Sequence, residues 1–194
     1  MYRLENLQMR LKAPRRRVCV KIRNEPQIAT KKNECWSMDF VADELFNGRR
    51  IRILTVVDNF TRESLNASAK FQFKGVDVAN TLDEVIQVYG VPKAIKVDNG
   101  PEFISKELDL WAYTHKVTLD FSRPGKPTDN AFIESFNGRF RQECLNQHWF
   151  LSMEDAESKI EIWRMDYNKE RPHSSLGNMT PEEFAAAQAK LQIC

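Results

Sequence analysis

Residues 126–145 read KPTDNAFIESFNGRFRQECL. The segment changes character early. Pro127 and the run Thr128-Asp129-Asn130 are helix-start signals, and an apolar ladder follows them. Phe132, Ile133, Phe136, Phe140 and Cys144 share one helical face. Glu134 and Arg141 lie on a different face, seven residues and so about two turns apart. A single acid on the outer face of a helix is ordinarily solvated surface. Glu134 gains its meaning from two aspartates earlier in the chain.

The elements before it fall into a simple order. Residues 35–42 alternate in strand period, with Trp36, Met38 and Phe40 against Ser37, Asp39 and Val41. Phe46-Asn47-Gly48 signals a hairpin. The nearly all-apolar run Ile51–Val57 predicts a central, buried strand. A weaker strand covers 62–71, completing a three-strand antiparallel meander. The period then becomes helical over Val78, Leu82, Val85 and Tyr89, with Gly90 and Pro92 as stops. A short buried strand at 94–97, a helix at 105–115 and a fifth strand at 117–121 lead to a Pro- and Gly-rich loop. Beyond residue 150, Ser152 with Asp155 predicts a capped helix, and Thr180-Pro181 starts a last one. The fold class is therefore α/β. The chain divides into a basic segment, 1–33, a core, 34–150, and a C-terminal helical extension, 151–194.

Composition bounds the chemistry. The chain has 194 residues, 42% of them hydrophobic, with 12 Phe and 4 Trp, enough for one real core. Residues 1–33 carry ten Lys/Arg against two Asp/Glu, so the remainder carries −6 beneath a chain total of +2. Such an arm suits a polyanion, although a solubilising tail would look the same. No stretch suits a membrane span. Cys19, Cys35, Cys144 and Cys194 lack paired spacing, which argues against a zinc site or a disulfide framework and for a reducing, intracellular setting.

Three carboxylates stand out. Asp39 occupies a mid-strand position where Asp is disfavoured. Asp98 follows the fourth strand in an Asp-Asn-Gly turn, and Glu134 rides the helix after the fifth. Asp58, at another strand end, competes with Asp39 but reads first as a turn residue. If the fold brings Asp39, Asp98 and Glu134 together, their repulsion calls for cations between them. Hard oxygen ligands suit Mg²⁺ or Mn²⁺. Two such ions can clamp the attacking and leaving oxygens of a phosphoryl transfer.

The motifs Trp36-Ser37-Met38-Asp39-Phe40, Val97-Asp98-Asn99-Gly100-Pro101-Glu102-Phe103 and Asp129-Asn130-Ala131-Phe132-Ile133-Glu134-Ser135-Phe136 resemble the Asp-Asp-Glu triad of integrase-core transposases. Thirty-five residues separate Asp98 from Glu134, the Asp-Asp-35-Glu spacing of retroviral integrases and bacterial insertion-sequence transposases. Tyr167-Asn168, Arg171-Pro172-His173 and Thr180-Pro181-Glu182-Glu183-Phe184 resemble the tail of the OrfB-type product of the insertion-sequence-three family. The resemblance covers about 34–184. It implies a ribonuclease H-like fold: a five-stranded mixed sheet, three antiparallel strands then two parallel, with helices on both faces. It implies two divalent metals on Asp39, Asp98 and Glu134, and phosphodiester hydrolysis followed by strand transfer onto target DNA. It also implies DNA ends and target as partners, a homo-oligomer on DNA and a bacterial cytoplasmic, nucleoid-associated setting. Arg141 stands at the family's DNA-end contact. Arg15, Arg16, Arg17, Lys126, Asn130, Asn137 and Arg171 are further candidate DNA contacts, whereas His173 reads as a packing residue. Residues 1–9 look like the last helix of an upstream helix-turn-helix segment. The alternatives are a truncated inactive or inhibitory DNA-binding relic and a purely hydrolytic ribonuclease H-like nuclease.

Overall fold

The computed structural model describes residues 29–123 and 130–191. Strands β1 (Cys35–Glu44), β2 (Arg50–Asp58) and β3 (Ser64–Lys70) form the antiparallel meander. β4 (Ala94–Val97) pairs parallel to β1, and β5 (Thr118–Phe121) parallel to β4, giving the order β3-β2-β1-β4-β5. Parallel pairing requires crossovers. Helices α1 (Gly75–Tyr89) and α2 (Lys106–His115) provide them. The expected five-stranded mixed sheet is thus present.

Strand alternation sends side chains to two separate cores. On one face Trp36, Met38, Leu54 and Val56 pack with Val78 and Leu82 of α1 and with Leu108 and Trp111 of α2. On the other, Val41, Ile51, Ile53 and Val57 meet α3 (Ala131–Glu143) and α4 (Met153–Lys169). Phe136 and Phe140 of α3 interlock with Trp163 and Tyr167 of α4, ring centroids 4.9–5.5 Å apart. The sheet's second face is therefore completed by residues beyond 150. Each wholly buried side chain of this size contributes about 1.5–3 kcal/mol of burial free energy. α5 (Pro181–Leu191) packs against α4.

Local chemistry shifts several expected boundaries. β3 begins at Ser64 because residues 58–63 form a tight turn. Asp58 Oδ1 accepts from the N–H groups of Phe60 (2.8 Å) and Thr61 (2.9 Å), and Arg62 adopts φ +64°. Asp58 is fully buried, and its Oδ2 accepts from Asn33 N–H at 2.8 Å. Its carboxylate is committed to the fold, which removes it as a rival to Asp39. Phe132 leaves the apolar ladder of α3: it is half-buried, and the Arg62 guanidinium lies 3.8 Å from its ring centroid. Ser152 accepts from Asp155 N–H at 3.2 Å, but the Asp155 carboxylate turns to Leu151 N–H, one residue before the expected partner.

Asn168 on α4 reaches the outer strand. Its amide accepts from Ser64 N–H at 2.8 Å and donates to Ser64 C=O at 2.9 Å. One side chain thereby satisfies both main-chain groups of a buried strand end. No helix among the described residues is long and apolar enough to cross a membrane.

Candidate functional site

Asp39 takes its direction from the pleat of β1. Trp36 and Met38 enter the first core and Val41 the second, so Asp39 points to the side that α3 covers. It sits opposite Thr55 of β2. On the other flank, β1 and β4 run parallel with Ser37 opposite Lys96. That register, carried two residues further, brings Asp98 level with Asp39. α3 packs over β1 and β2 and carries Glu134 to the same side.

Hydrogen bonds hold two of the three acids. Asp39 Oδ1 accepts from Phe40 N–H at 2.7 Å and Oδ2 from the Asn137 amide at 2.9 Å. Thr55 Oγ1, wholly buried, donates to Asn137 Oδ1 at 2.9 Å and lies 3.1 Å from Asp39 C=O. Asp98 Oδ1 accepts from Gly100 N–H at 2.8 Å. A Cβ at Gly100 would stand 2.9 Å from that same oxygen, so a larger residue there would shift the Asp98 carboxylate. Asn99 closes the turn by donating to Ser122 C=O at 2.8 Å. Glu134 is exposed and has no hydrogen bond or ion pair among the described residues.

Electrostatics link the three positions. Burial raises the pKa of Asp39 most strongly. The charges of Asp98 and Glu134 push it further up, while the Phe40 N–H and Asn137 bonds pull it back. A carboxylate that feels both other acids lies in a shared, uncompensated negative field. Among the described residues, however, no three acidic, His or Cys side chains stand close enough to chelate one ion.

The remaining expected contacts are placed variously. Arg15, Arg16, Arg17 and Lys126 lie outside the described residues. Asn130 is buried at the start of α3. Asn137 is occupied on both sides of its amide by Asp39 and Thr55. Arg141 is exposed and donates through Nη2 to Ala42 C=O at 2.8 Å, laying it along β1. Arg171 is ion-paired with Glu143 and, at 3.7 Å, with Asp166, so its charge is neutralised between α3 and α4. His173 is buried, with its ring edge-on to Tyr167 at 4.9 Å. The sequence reading did not anticipate Thr55 or the orienting role of Asn137. The available signal was spacing, since Asn137 lies three residues after Glu134 on the same side of α3.

The sheet order, the two helical layers and the acidic positions define a ribonuclease H-like core of integrase type. Residues 29–127 and 115–181 each match the integrase core domain family. The chain belongs to that family, in the branch found in transposases of bacterial insertion sequences. It is 48% identical over 186 residues to the insertion element IS407 uncharacterized 31.7 kDa protein of Burkholderia multivorans, covering 96% of this chain and 67% of that protein. It is 50% identical over 154 residues to the insertion element IS476 uncharacterized 39.2 kDa protein of Xanthomonas euvesicatoria, covering 79% and 44%. A putative transposase, InsK of insertion sequence IS150 from Escherichia coli, is 26% identical over 80% of this chain and 56% of its own length. The chain thus spans between under half and about two thirds of these relatives. Among solved structures, the simian T-cell lymphotropic virus intasome superposes with a TM-score of 0.72 at 18% identity, covering 84% of this chain and 58% of that one. The HTLV-2 integrase catalytic core domain in complex with magnesium superposes at 0.62 and 17%, covering 80% and 98%.

Proposed function

We propose that this chain is the catalytic core of a DNA transposase, in which Asp39, Asp98 and Glu134 are the metal-binding and catalytic carboxylates. The observation that carries the reading is the electrostatic coupling of Asp39 to both other acids, which come from three different elements. The donor set fits a hard divalent cation: carboxylates alone, in a negative field with no cationic side chain bonded to Asp39. Two magnesium or manganese ions held there would polarise a phosphodiester and make an attacking water or 3′-hydroxyl nucleophilic. The chain's own residues set the frame. Asn137 and Phe40 N–H fix the Asp39 carboxylate, and Gly100 N–H fixes that of Asp98. Glu134, unbonded and exposed, is free to swing toward them.

The reading extends to DNA ends and target DNA as substrates, with hydrolysis releasing a 3′-hydroxyl and strand transfer joining it to the target. Arg141, Arg15, Arg16, Arg17 and Lys126 are carried as phosphate contacts, which position DNA without reading sequence. Action as a multimer on DNA is supported by the dimeric and trimeric forms of the HTLV-2 catalytic core. The setting is the bacterial cytoplasm, at the nucleoid.

The test is strand transfer of pre-cut ends into a target duplex with Mn²⁺, comparing the wild type with Glu134→Gln. Loss of at least a hundredfold in the variant, with unchanged melting, is expected. Equal activity in both would remove Glu134 from the mechanism. Cleavage without joining by the wild type would favour a hydrolytic nuclease. In parallel, Mn²⁺ should raise the melting temperature of the wild type more than that of Glu134→Gln.

A further inference from the structure

α3 carries a second polar stripe. Phe132, Ser135 and Arg139 succeed one another three and four residues apart, on a side different from Glu134, Asn137 and Arg141. Ser135 and Arg139 line an open cleft of about 270 Å³ together with Arg62, His173, Ser174 and Ser175. Three elements distant in sequence therefore meet there: the turn after β2, the exposed side of α3 and the segment between α4 and α5.

The cleft holds two guanidinium groups, and the one carboxylate that acts electrostatically on Arg62, that of Asp58, is bonded within its own turn. Neither Arg62 nor Arg139 forms an ion pair among the described residues, whereas nearby Arg171 has Glu143 and Asp166. Arg62 Nη1 is buried with no hydrogen-bond partner. So is Nε2 of His173, a residue only 6% exposed that lines the same cleft. Buried polar groups without partners are rare and costly. The field is positive enough to act on His173. Burial first, then the charges of Arg139, Arg171 and Arg62, press its pKa down to about 4.

Arg62 is also held in place deliberately. Its φ of +64° is a region that glycine or asparagine enters more readily. The turn secures it through Arg62 N–H donating to Asp58 C=O at 2.9 Å, and the Phe132 ring supports the guanidinium plane. Burial, support and an unfilled donor together describe a preorganised guanidinium awaiting an acceptor.

We propose that this cleft is a phosphate site that grips a backbone phosphodiester of DNA, with Arg62 and Arg139 as the charged donors and Ser135, Ser174 and Ser175 as hydroxyl donors. The proposal rests on the DNA-transposase reading above and adds a grip on a different side of α3. The cleft and the acidic positions lie on opposite flanks of α3, about one helix width of 10 Å apart. Guanidinium forks match phosphate geometry, and such contacts set the register of DNA on the protein.

The test uses the full chain and a fluorescein-labelled duplex, titrated by anisotropy over a range of salt. Arg139→Gln alters an exposed side chain and should leave melting unchanged. It should weaken binding about three- to tenfold, irrespective of sequence, and lower the slope of log K against log salt by about one. Ser175→Asp, which places a like charge in the cleft, should weaken binding in the same direction. Lys106→Gln, on α2, should match the wild type. Unchanged affinity and slope in Arg139→Gln, with a wild type that binds, would overturn the phosphate site alone. A wild type that binds no duplex would overturn the DNA reading and this site with it. If inorganic phosphate raises the wild-type melting temperature while Arg139→Gln leaves duplex affinity intact, the cleft takes free phosphate and the DNA assignment falls.

Discussion

Asn137 donates its amide to Asp39 Oδ2 at 2.9 Å, across 98 positions of sequence. The helix that carries Glu134 therefore also orients the strand carboxylate. Thr55 meets the other end of the same amide, and a flip would set the amide oxygen against the Asp39 carboxylate and lose that bond. Asn137→Ala should raise the Asp39 pKa, since a bond to its charged form is lost. It should cost about 1–2 kcal/mol of stability. A carbon-detected NMR titration of the Asp39 carboxyl, with a urea melt, measures both. An unmoved Asp39 pKa would show that the amide has no hold on it.

Asp39 titrates above its ordinary 3.8 in the folded chain. From 3.8 up to that raised value the native state binds more protons than the unfolded state. Stability should therefore fall as pH rises through this window, and the full penalty remains above it. Asp39→Asn removes the penalty. In metal-free buffer at neutral pH it should stabilise the chain and raise its Tm. Added Mn²⁺ should raise the Tm of the wild type more than that of the variant. Thermal melts with and without chelator check this, and a lower Tm for Asp39→Asn would contradict it.

His173 behaves in the opposite sense. Its pKa drops from 6.5 to about 4 on folding. Between these values the unfolded state binds the extra proton, so stability from this residue is complete above 6.5 and is lost as pH falls toward 4. The loss should reach a few kcal/mol at most. His173→Gln should flatten the pH dependence of urea stability across that window, whatever its effect at pH 7. An unchanged slope would place the titration elsewhere.

Asn168 closes both main-chain groups of Ser64. Asn168→Ala would leave the buried Ser64 N–H at the end of β3 without its partner, while Ser64 C=O keeps the Arg164 guanidinium at 2.8 Å, at a cost of roughly 1–3 kcal/mol. Asn168→Asp keeps the acceptor and loses the donor, so it should fall between the wild type and alanine near neutral pH. Chemical denaturation ranks the three, and fast amide exchange at Ser64 in the alanine variant locates the damage.

Much of this protein is legible in its sequence. The alternation over residues 35–42, the apolar run at 51–57 and the change to helical period at Val78 depend on local chemistry alone, and the elements form where they indicate. By local preference only Asp39 stands out, as an Asp in mid-strand; Asp98 and Glu134 are singled out by their 35-residue spacing and by resemblance to the integrase-core motifs. What needed the tertiary structure was partnership. Asp39 and Asp58 both stand in or at the end of strands, yet the turn after β2 consumes Asp58, while the pleat of β1 turns Asp39 toward α3. Asn137 and Arg171 read alike as polar residues suited to DNA; packing binds the first to Asp39 and the second to Glu143. The cleft of Arg62, Arg139 and His173 had no sequence signature, because its residues lie far apart in the chain. Periodicity fixes which way a side chain points from its own element. Only the closing of one element on another decides which charges remain unpaired.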